Sequence, residues 1–356
     1  MKKFEKTKRF CRNYGLDIPI VMAPMAGACP SGLAAAVSNA GGMGSCGALL
    51  MTADQISGWA KDFKAESNGA FLMNNWIPEP SPNRDRQHED ALRVFLSQFE
   101  HEALTCVADA PQISFEDQCK AMLDSRPSVI SSIMGLYSPE FVSQMKQLGI
   151  RWFATVTSVS EAIAAEQAGA DALVVQGAEA GGHRGNFLTD FDQSAGLMAL
   201  LPVIDDVVQT PLIATGGIAD SRGISAAIML GASAVQIGTG LLRTPEASIA
   251  SAWANSLQQT RPEDTIITAS FSGKPGRAVK NRYINAAHDK NNPAPAPYPV
   301  QRTLTEAMRK QATKLNDIDT MQAWAGQAAS LAEQKVVRDL LSTVWTEVEH
   351  NFSEFN

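Results

Sequence analysis

Apolar positions in this chain gather into short continuous runs separated by longer stretches of helical period, and the rhythm repeats eight times between residues 18 and 242. The runs are IPIVMAPM (18–25), MGSCGAL (43–49), GAFLMNNWI (69–77), SVISSIMG (128–135), RWFATVTS (151–158), ALVVQGAE (172–179), PLIATGGI (211–218) and AVQIGTGLL (234–242). Several lack the polar alternation of a half-solvated strand, as expected of parallel strands covered on both faces. Between them lie amphipathic segments that open on a serine or threonine cap and often stop at glycine, such as TADQISGWAKDF (52–63) and SPEFVSQMKQLG (138–149). In SVSEAIAAEQAG (158–169) Ser158 is the expected cap, Glu161 the partner in a capping box, and Gly169 the stop.

Eight strand and helix units in this length predict an α/β fold, a closed TIM (β/α)8 barrel; an open doubly wound sheet also alternates, but no GxGxxG follows the first strand. The stretch 78–126 is too long for an ordinary crossover and begins with the exposed-looking EPSPNRDRQ, which could cover the barrel mouth. Residues 273–300 read as irregular, ending in the proline-rich NNPAPAPYPV, and helices are predicted over 303–314 and 328–349. The expected organisation is a barrel of residues 14–245 completed by a C-terminal helix at 326–350, with 246–325 forming a smaller, mainly helical substrate-covering region.

Composition narrows the class. The 356 residues are 45% hydrophobic, enough for a sizeable core. The formal charge of -7, without long blocks of one sign, argues against a general nucleic-acid surface. The basic N-terminus MKKFEKTKR is not followed by an uninterrupted apolar segment, and no run reaches membrane-spanning length, so a cytoplasmic protein is expected. Its five cysteines, Cys11, Cys29, Cys46, Cys106 and Cys119, show neither CxxC nor metal-ligand spacing. No metal is expected.

In such a barrel the chemistry gathers at the C-terminal ends of the strands. ATGGIAD after the seventh run and QIGTG after the eighth place Gly216, Gly217, Gly238 and Thr239 at the fold's recurrent phosphate position. Ala23, Pro24 and Met25 end the first run with a flat apolar surface, while Asn74 and Gln176 offer amides with both donor and acceptor. These mixed partners suit a flavin ring, although each amide could equally satisfy its own loop. In QGAEAGGHRG (176–185), Gly181 and Gly182 precede His183, a candidate base or proton donor. Arg184, alongside it, reads as a group that neutralises an anion or equally well as a surface ion-pair partner, and is left out of the catalytic set.

The motifs VMAPMAG, NAGGMGS, FATVTS, EAIAAEQAGADALVVQGAEAGGHRG, LIATGGIAD, GASAVQIGTG, FSGKPGRAVKNR and WAGQ together resemble the nitronate monooxygenase family, formerly the 2-nitropropane dioxygenases. The resemblance spans residues 18–327, and QGAEAGGHRG is its most specific part. It implies a flavoprotein that binds FMN and oxidises alkyl nitronates, such as propionate 3-nitronate, with O2, to a carbonyl compound and nitrite by way of a flavin semiquinone. It carries the catalytic role to His183, and FMN contacts to Ala23, Pro24, Met25, Asn74, Gln176, Gly181, Gly182, Gly217, Gly238 and Thr239. Its partners would be a small-molecule substrate and O2, with no nucleic acid or membrane, and a homodimer is one possible assembly. The segments MNNWIP and SSIMG depart from the family pattern at Asn75, Ser132 and Ile133, which bears on substrate more than on cofactor. Alternatives are an FMN-dependent enoyl-thioester (enoyl-acyl-carrier-protein) reductase using NAD(P)H, a non-flavin phosphate-binding barrel, and a non-catalytic flavin-binding or scaffold barrel.

Overall fold

In this computed structural model residues 2–99, 113–190 and 194–353 are described; Cys106 and His101 fall outside them. Eight parallel strands form the barrel: β1 (Ile20–Met22), β2 (Gly44–Gly47), β3 (Phe71–Trp76), β4 (Val129–Ile133), β5 (Arg151–Val156), β6 (Ala172–Gln176), β8 (Leu212–Thr215) and β9 (Ala234–Ile237). Their order is β1-β9-β8-β6-β5-β4-β3-β2, and a parallel bridge between Val21 and Met43 joins the two ends. The ring is a closed (β/α)8 barrel. The first two strands are shorter than their apolar runs, because Pro24 carries no N–H for a ladder and residues 48–50 turn into a 3-10 helix.

Side chains alternate strictly, as the strand period of two requires. Ile20, Met22, Met73, Ile130, Trp152, Leu173, Val175, Leu212 and Val235 face the outer helices, while Val21, Leu72, Val129, Phe153, Val174, Ile213 and Ala234 fill the barrel interior. The helix Lys2–Tyr14 sends Phe10 and Cys11 into that interior cluster, and Lys6 meets Asp205 at 2.6 Å. This helix was not anticipated from the basic N-terminus. Burying a side chain the size of Phe10 contributes roughly 2 kcal/mol.

Capping follows the expected residues with one change. Thr52 and Gln55 form a complete capping box, and Ser158 accepts from the N–H of Glu161. The Glu161 carboxylate, however, turns away from a box. It accepts from the N–H groups of Thr157, Phe187 and Leu188, at 2.7 to 3.0 Å, and so anchors the loop after His183.

The segment after β9 is more ordered than its sequence suggested. β10 (Thr265–Thr268) pairs antiparallel with β11 (Gly276–Val279), and β11 pairs with β7 (Gly182–His183), a two-residue strand in the loop after β6. A helix at Arg282–Ala287 also lies inside the stretch read as irregular. The expected helix at 303–314 is two, Val300–Leu304 and Glu306–Leu315, parted at Thr305, whose hydroxyl donates to the carbonyl of Phe271 at 2.6 Å. The C-terminal helix runs Val337–Ser353, beginning well after residue 326. Glu246 accepts the first N–H of that helix at Val337, and Ala329–Leu331 is only a 3-10 turn. The helix packs against the barrel helices Ser31–Asn39 and Ser221–Met229.

The excursion after β3 contains a helix at Arg86–Leu96 whose Leu92, Phe95 and Leu96 pack with Phe271, Tyr283, Leu304 and Met308. It therefore buttresses the material above the barrel mouth. Among the described residues no helix is long and apolar enough to cross a membrane.

Candidate active site

Two residues beyond the apolar interior, the strands change character. Leu72 is followed by Asn74, Val129 by Ser131, Phe153 by Thr155, Val174 by Gln176, Ile213 by Thr215 and Ala234 by Gln236. The six polar residues share the inward face with their apolar predecessors and floor a cavity of about 550 Å³ at the C-terminal end of the barrel. That volume lies within the roughly 300–1,000 Å³ of small-molecule and cofactor sites. Each catalytic or cofactor-binding candidate from the sequence, Ala23, Pro24, Met25, Asn74, Gln176, Gly181, Gly182, His183, Gly216, Gly217, Gly238 and Thr239, lines it.

One wall is backbone. Gly216 and Gly217 have φ of 114° and 69°, which a side-chain-bearing residue adopts only with strain. Among the described residues, no acceptor meets the N–H groups of Gly217, Thr239 or Gly240. Thr239 and Gly240 open the 3-10 helix Thr239–Leu241, whose first N–H groups have no partner within the helix. A Cβ at Gly238 would come within 3.1 Å of the Ala23 Cβ. Unpaired donors in a glycine cradle suit a phosphate.

The floor amides are partly committed. Asn74 donates to the Ser131 hydroxyl at 2.8 Å, leaving its carbonyl oxygen as an acceptor. Gln176 accepts from the N–H of Gly185 at 2.8 Å and donates to the carbonyl of His183 at 3.1 Å, so it holds its own loop and keeps one N–H for an occupant. The two glycines before His183 also divide their work. At Gly181 a Cβ would lie 2.5 Å from the Gly326 nitrogen, so this glycine allows the WAGQ segment to pack close. Gly182, at φ 74°, faces open space and performs the turn into β7.

His183 stands between two indoles, edge-on to Trp76 at 4.7 Å and to Trp324 at 4.8 Å between ring centres. Its Nε2 is hydrogen-bonded to Ser272 Oγ at 2.7 Å. Burial, then the charges of Arg302, Lys274 and Arg309, lowers its pKa to about 3, so the imidazole is neutral at physiological pH. Arg184 is not the surface group its sequence position allowed. It is 2% exposed, and its guanidinium donates to the carbonyls of Gly177 and Gln176 at 2.7 and 3.3 Å, clamping the loop from beneath.

Of the residues marking the departures from the family pattern, Asn75 points out of the barrel to Gln118 at 2.8 Å and Ser132 to the Trp152 indole N–H at 3.1 Å. Trp76 and Ile133, next along each strand, face the cavity. Sequence reasoning did not single out Ser272, Arg302 or Trp324; Ser272 and Trp324 lay within the quoted FSGKPGR and WAGQ segments, and Arg302 carried no motif signal.

The comparisons bear on the fold and the family. The family model described as nitronate monooxygenase matches residues 13–347. A Staphylococcus aureus (strain Newman) protein named as a probable nitronate monooxygenase is 34% identical over 346 residues, covering 96% of this chain and 97% of its own. Nitroalkane oxidase from Streptomyces ansochromogenes superposes with a TM-score of 0.88 at 30% identity, over 96% of this chain and 98% of its own. FabK from Thermotoga maritima is more distant, with a TM-score of 0.77 at 25% identity over 98% and 97%. This chain belongs to the nitronate monooxygenase family, enzymes that are oxidoreductases acting on nitroalkanes.

Proposed function

We propose that this protein is an FMN-dependent enzyme that oxidises alkyl nitronates, such as propionate 3-nitronate, with O2 to a carbonyl compound and nitrite. The observation that carries this reading is His183, held by Ser272 between Trp76 and Trp324, in the same cavity as the glycine cradle. Gly216, Gly217, Gly238 and Thr239 would receive the FMN phosphate. Ala23, Pro24, Met25, Asn74, Gln176, Gly181 and Gly182 would flank the rest of the cofactor. Bound FMN supplies the electron acceptor.

The protein's own part is to orient the substrate and to manage one proton. With a neutral nitroalkane, an uncharged imidazole accepts the proton from the carbon beside the nitro group. With a nitronate that proton is already gone, and His183 offers only a hydrogen bond. Trp76 and Trp324 flank the ring, and Tyr298 packs on Trp76, so that the three limit water around it.

Likeness to FabK keeps an enoyl-thioester reductase as the second reading. A long acyl chain asks for an apolar channel, whereas the upper wall here carries Arg302, Arg309 and Lys310, which favours a small anion. The deciding experiment loads the protein with FMN and mixes it anaerobically with propionate 3-nitronate, NADH or NADPH in separate runs. Loss of the oxidised flavin absorbance with the nitronate, and nitrite release once air is admitted, is expected. Reduction by a nicotinamide without any response to nitronate would overturn the proposal.

A further inference from the structure

Four cations come from two segments above the barrel mouth, and three of them are already engaged. Lys274 meets Glu79 at 2.5 Å, and Lys310 meets Glu306 at 2.7 Å. Arg309 donates to the Thr305 hydroxyl, the Gln322 carbonyl and the carbonyl of Arg302. Arg302, on the short helix Val300–Leu304, is different: among the described residues its guanidinium has neither a hydrogen-bond acceptor nor an ion-pair partner. The carboxylate whose charge acts on it, Glu306, is the one bound by Lys310.

Arg302 lines the same cavity as His183, and of the three cations acting on that imidazole it acts most strongly. Burial also draws its own pKa down, with Tyr298 and Glu306 only partly opposing the fall. A guanidinium presents parallel N–H donors in a planar fork, and it is satisfied best by a planar anion with two oxygens. Carboxylates and nitronates both have that shape.

Resting on the nitronate-oxidising reading above, we infer that Arg302 is the receptor for a planar two-oxygen anionic group of the substrate. The group has two possible sources. It is either the reacting nitronate itself or a carboxylate at the substrate's other end. In both cases Arg302 sets which molecules dwell beside His183, and the chamber discriminates against uncharged nitro compounds.

The test compares the full-length FMN-loaded protein with its Arg302→Ala and Arg302→Lys variants on propionate 3-nitronate, which carries both anions, and on 1-propylnitronate, which carries one. Arg302→Ala is expected to lower kcat/KM for propionate 3-nitronate by roughly 30- to 100-fold, mainly through KM, as for loss of a charged hydrogen-bonded pair. Arg302→Lys, which keeps the charge but not the fork, should recover part of this. A loss at least tenfold greater for propionate 3-nitronate than for 1-propylnitronate assigns the carboxylate to Arg302. Equal loss on both substrates, with the same partial recovery by lysine, assigns the nitronate.

Binding of sodium propionate, followed by tryptophan fluorescence from Trp76 and Trp324, needs no turnover. It separates this inference from the function it rests on. If the wild-type protein oxidises neither nitronate, tighter propionate binding by wild type than by Arg302→Ala still supports the receptor, and equal binding overturns it. Kinetic constants and propionate binding within twofold of wild type, in an Arg302→Ala protein with normal flavin content, overturn it as well. Should the alanine variant fail to fold, Arg302→Gln, which keeps the length and removes the charge, is judged by the same outcomes.

Discussion

The hydroxyl of Ser272 lies 2.7 Å from Nε2 of His183, joining two segments 89 residues apart above the barrel. Ser272 is fully buried, accepts from the N–H of Lys274 at 3.3 Å, and lies 3.2 Å from the carbonyl of the same residue. Its single proton cannot serve both that carbonyl and the imidazole, so the serine and the histidine tautomer are coupled. Ser272→Ala should therefore lower kcat on a neutral nitroalkane by about tenfold, through loss of ring orientation, while changing nitronate turnover less. The pH profile of kcat should shift with it, and Ser272→Thr should restore both. A uniform loss on both substrates at every pH would make Ser272 a packing residue only.

His183 also leaves a signature in acid stability. Its pKa in the folded protein, about 3, lies below the value of 6.5 in the unfolded chain. Between those values the unfolded chain binds a proton that the folded imidazole refuses, so stability rises with pH there. The contribution is complete above pH 6.5 and is lost as pH falls toward 3. Because the ring opens onto the cavity, the expected size is roughly 2–4 kcal/mol. Urea unfolding at pH 4 and pH 7 should show a smaller acid loss for His183→Asn than for the wild-type protein; parallel losses would refute it.

Gly181 and Gly182 look alike in the sequence and should respond differently to alanine. At Gly181 the new Cβ would sit 2.5 Å from the Gly326 nitrogen and 2.7 Å from the Ala325 carbonyl carbon, both backbone atoms that have no rotamer to change. Overpacking of this kind costs roughly 2–3 kcal/mol. At Gly182 no atom lies within 4 Å, and the cost is the positive φ of 74° alone, about 1 kcal/mol. Gly181→Ala should lower the unfolding midpoint more and should weaken FMN binding by moving Gly326 away from Thr239, whose hydroxyl accepts its N–H at 3.0 Å. Equal effects of the two substitutions would contradict this division of labour.

Much of the barrel was legible because parallel strands covered on both faces read as unbroken apolar runs, and because caps such as Thr52 and Ser158 act within a few residues. The polar step from Leu72 to Asn74, or from Val174 to Gln176, is local as well, which is why these two of the six floor residues could be named in advance. What surrounds His183 is not local. Trp76, Ser272, Arg302 and Trp324 arrive from four separate segments, and no spacing along the chain records their meeting. β7 exists only because β11, about 90 residues on, pairs with it. The start of the last helix is likewise set by Glu246, 91 residues before Val337. The role of Arg184 stayed open for the same reason: its partners are backbone carbonyls, which leave no trace in side-chain patterns.

Arg184 gives the last prediction. Its guanidinium holds the Gly177 and Gln176 carbonyls at the end of β6, its own N–H donates to the Pro275 carbonyl at 2.9 Å, and its Nε has no acceptor among the described residues. Burial lowers its pKa to about 10, with Glu179 and Glu161 opposing that fall, so it remains charged. Lysine keeps the charge but reaches one carbonyl where the fork reaches two, whereas methionine fills the volume and leaves both carbonyls unpaired. Losing these bonds in a buried setting costs roughly 2–4 kcal/mol, so Arg184→Met should unfold at lower urea than Arg184→Lys, and both below the wild-type protein. Because the clamp acts on the loop that carries His183, kcat should fall in the same order while FMN content holds at saturating cofactor. Retention of wild-type stability by the methionine variant would show that the buried charge costs as much as its two hydrogen bonds return, and would remove Arg184 from the residues that position the histidine.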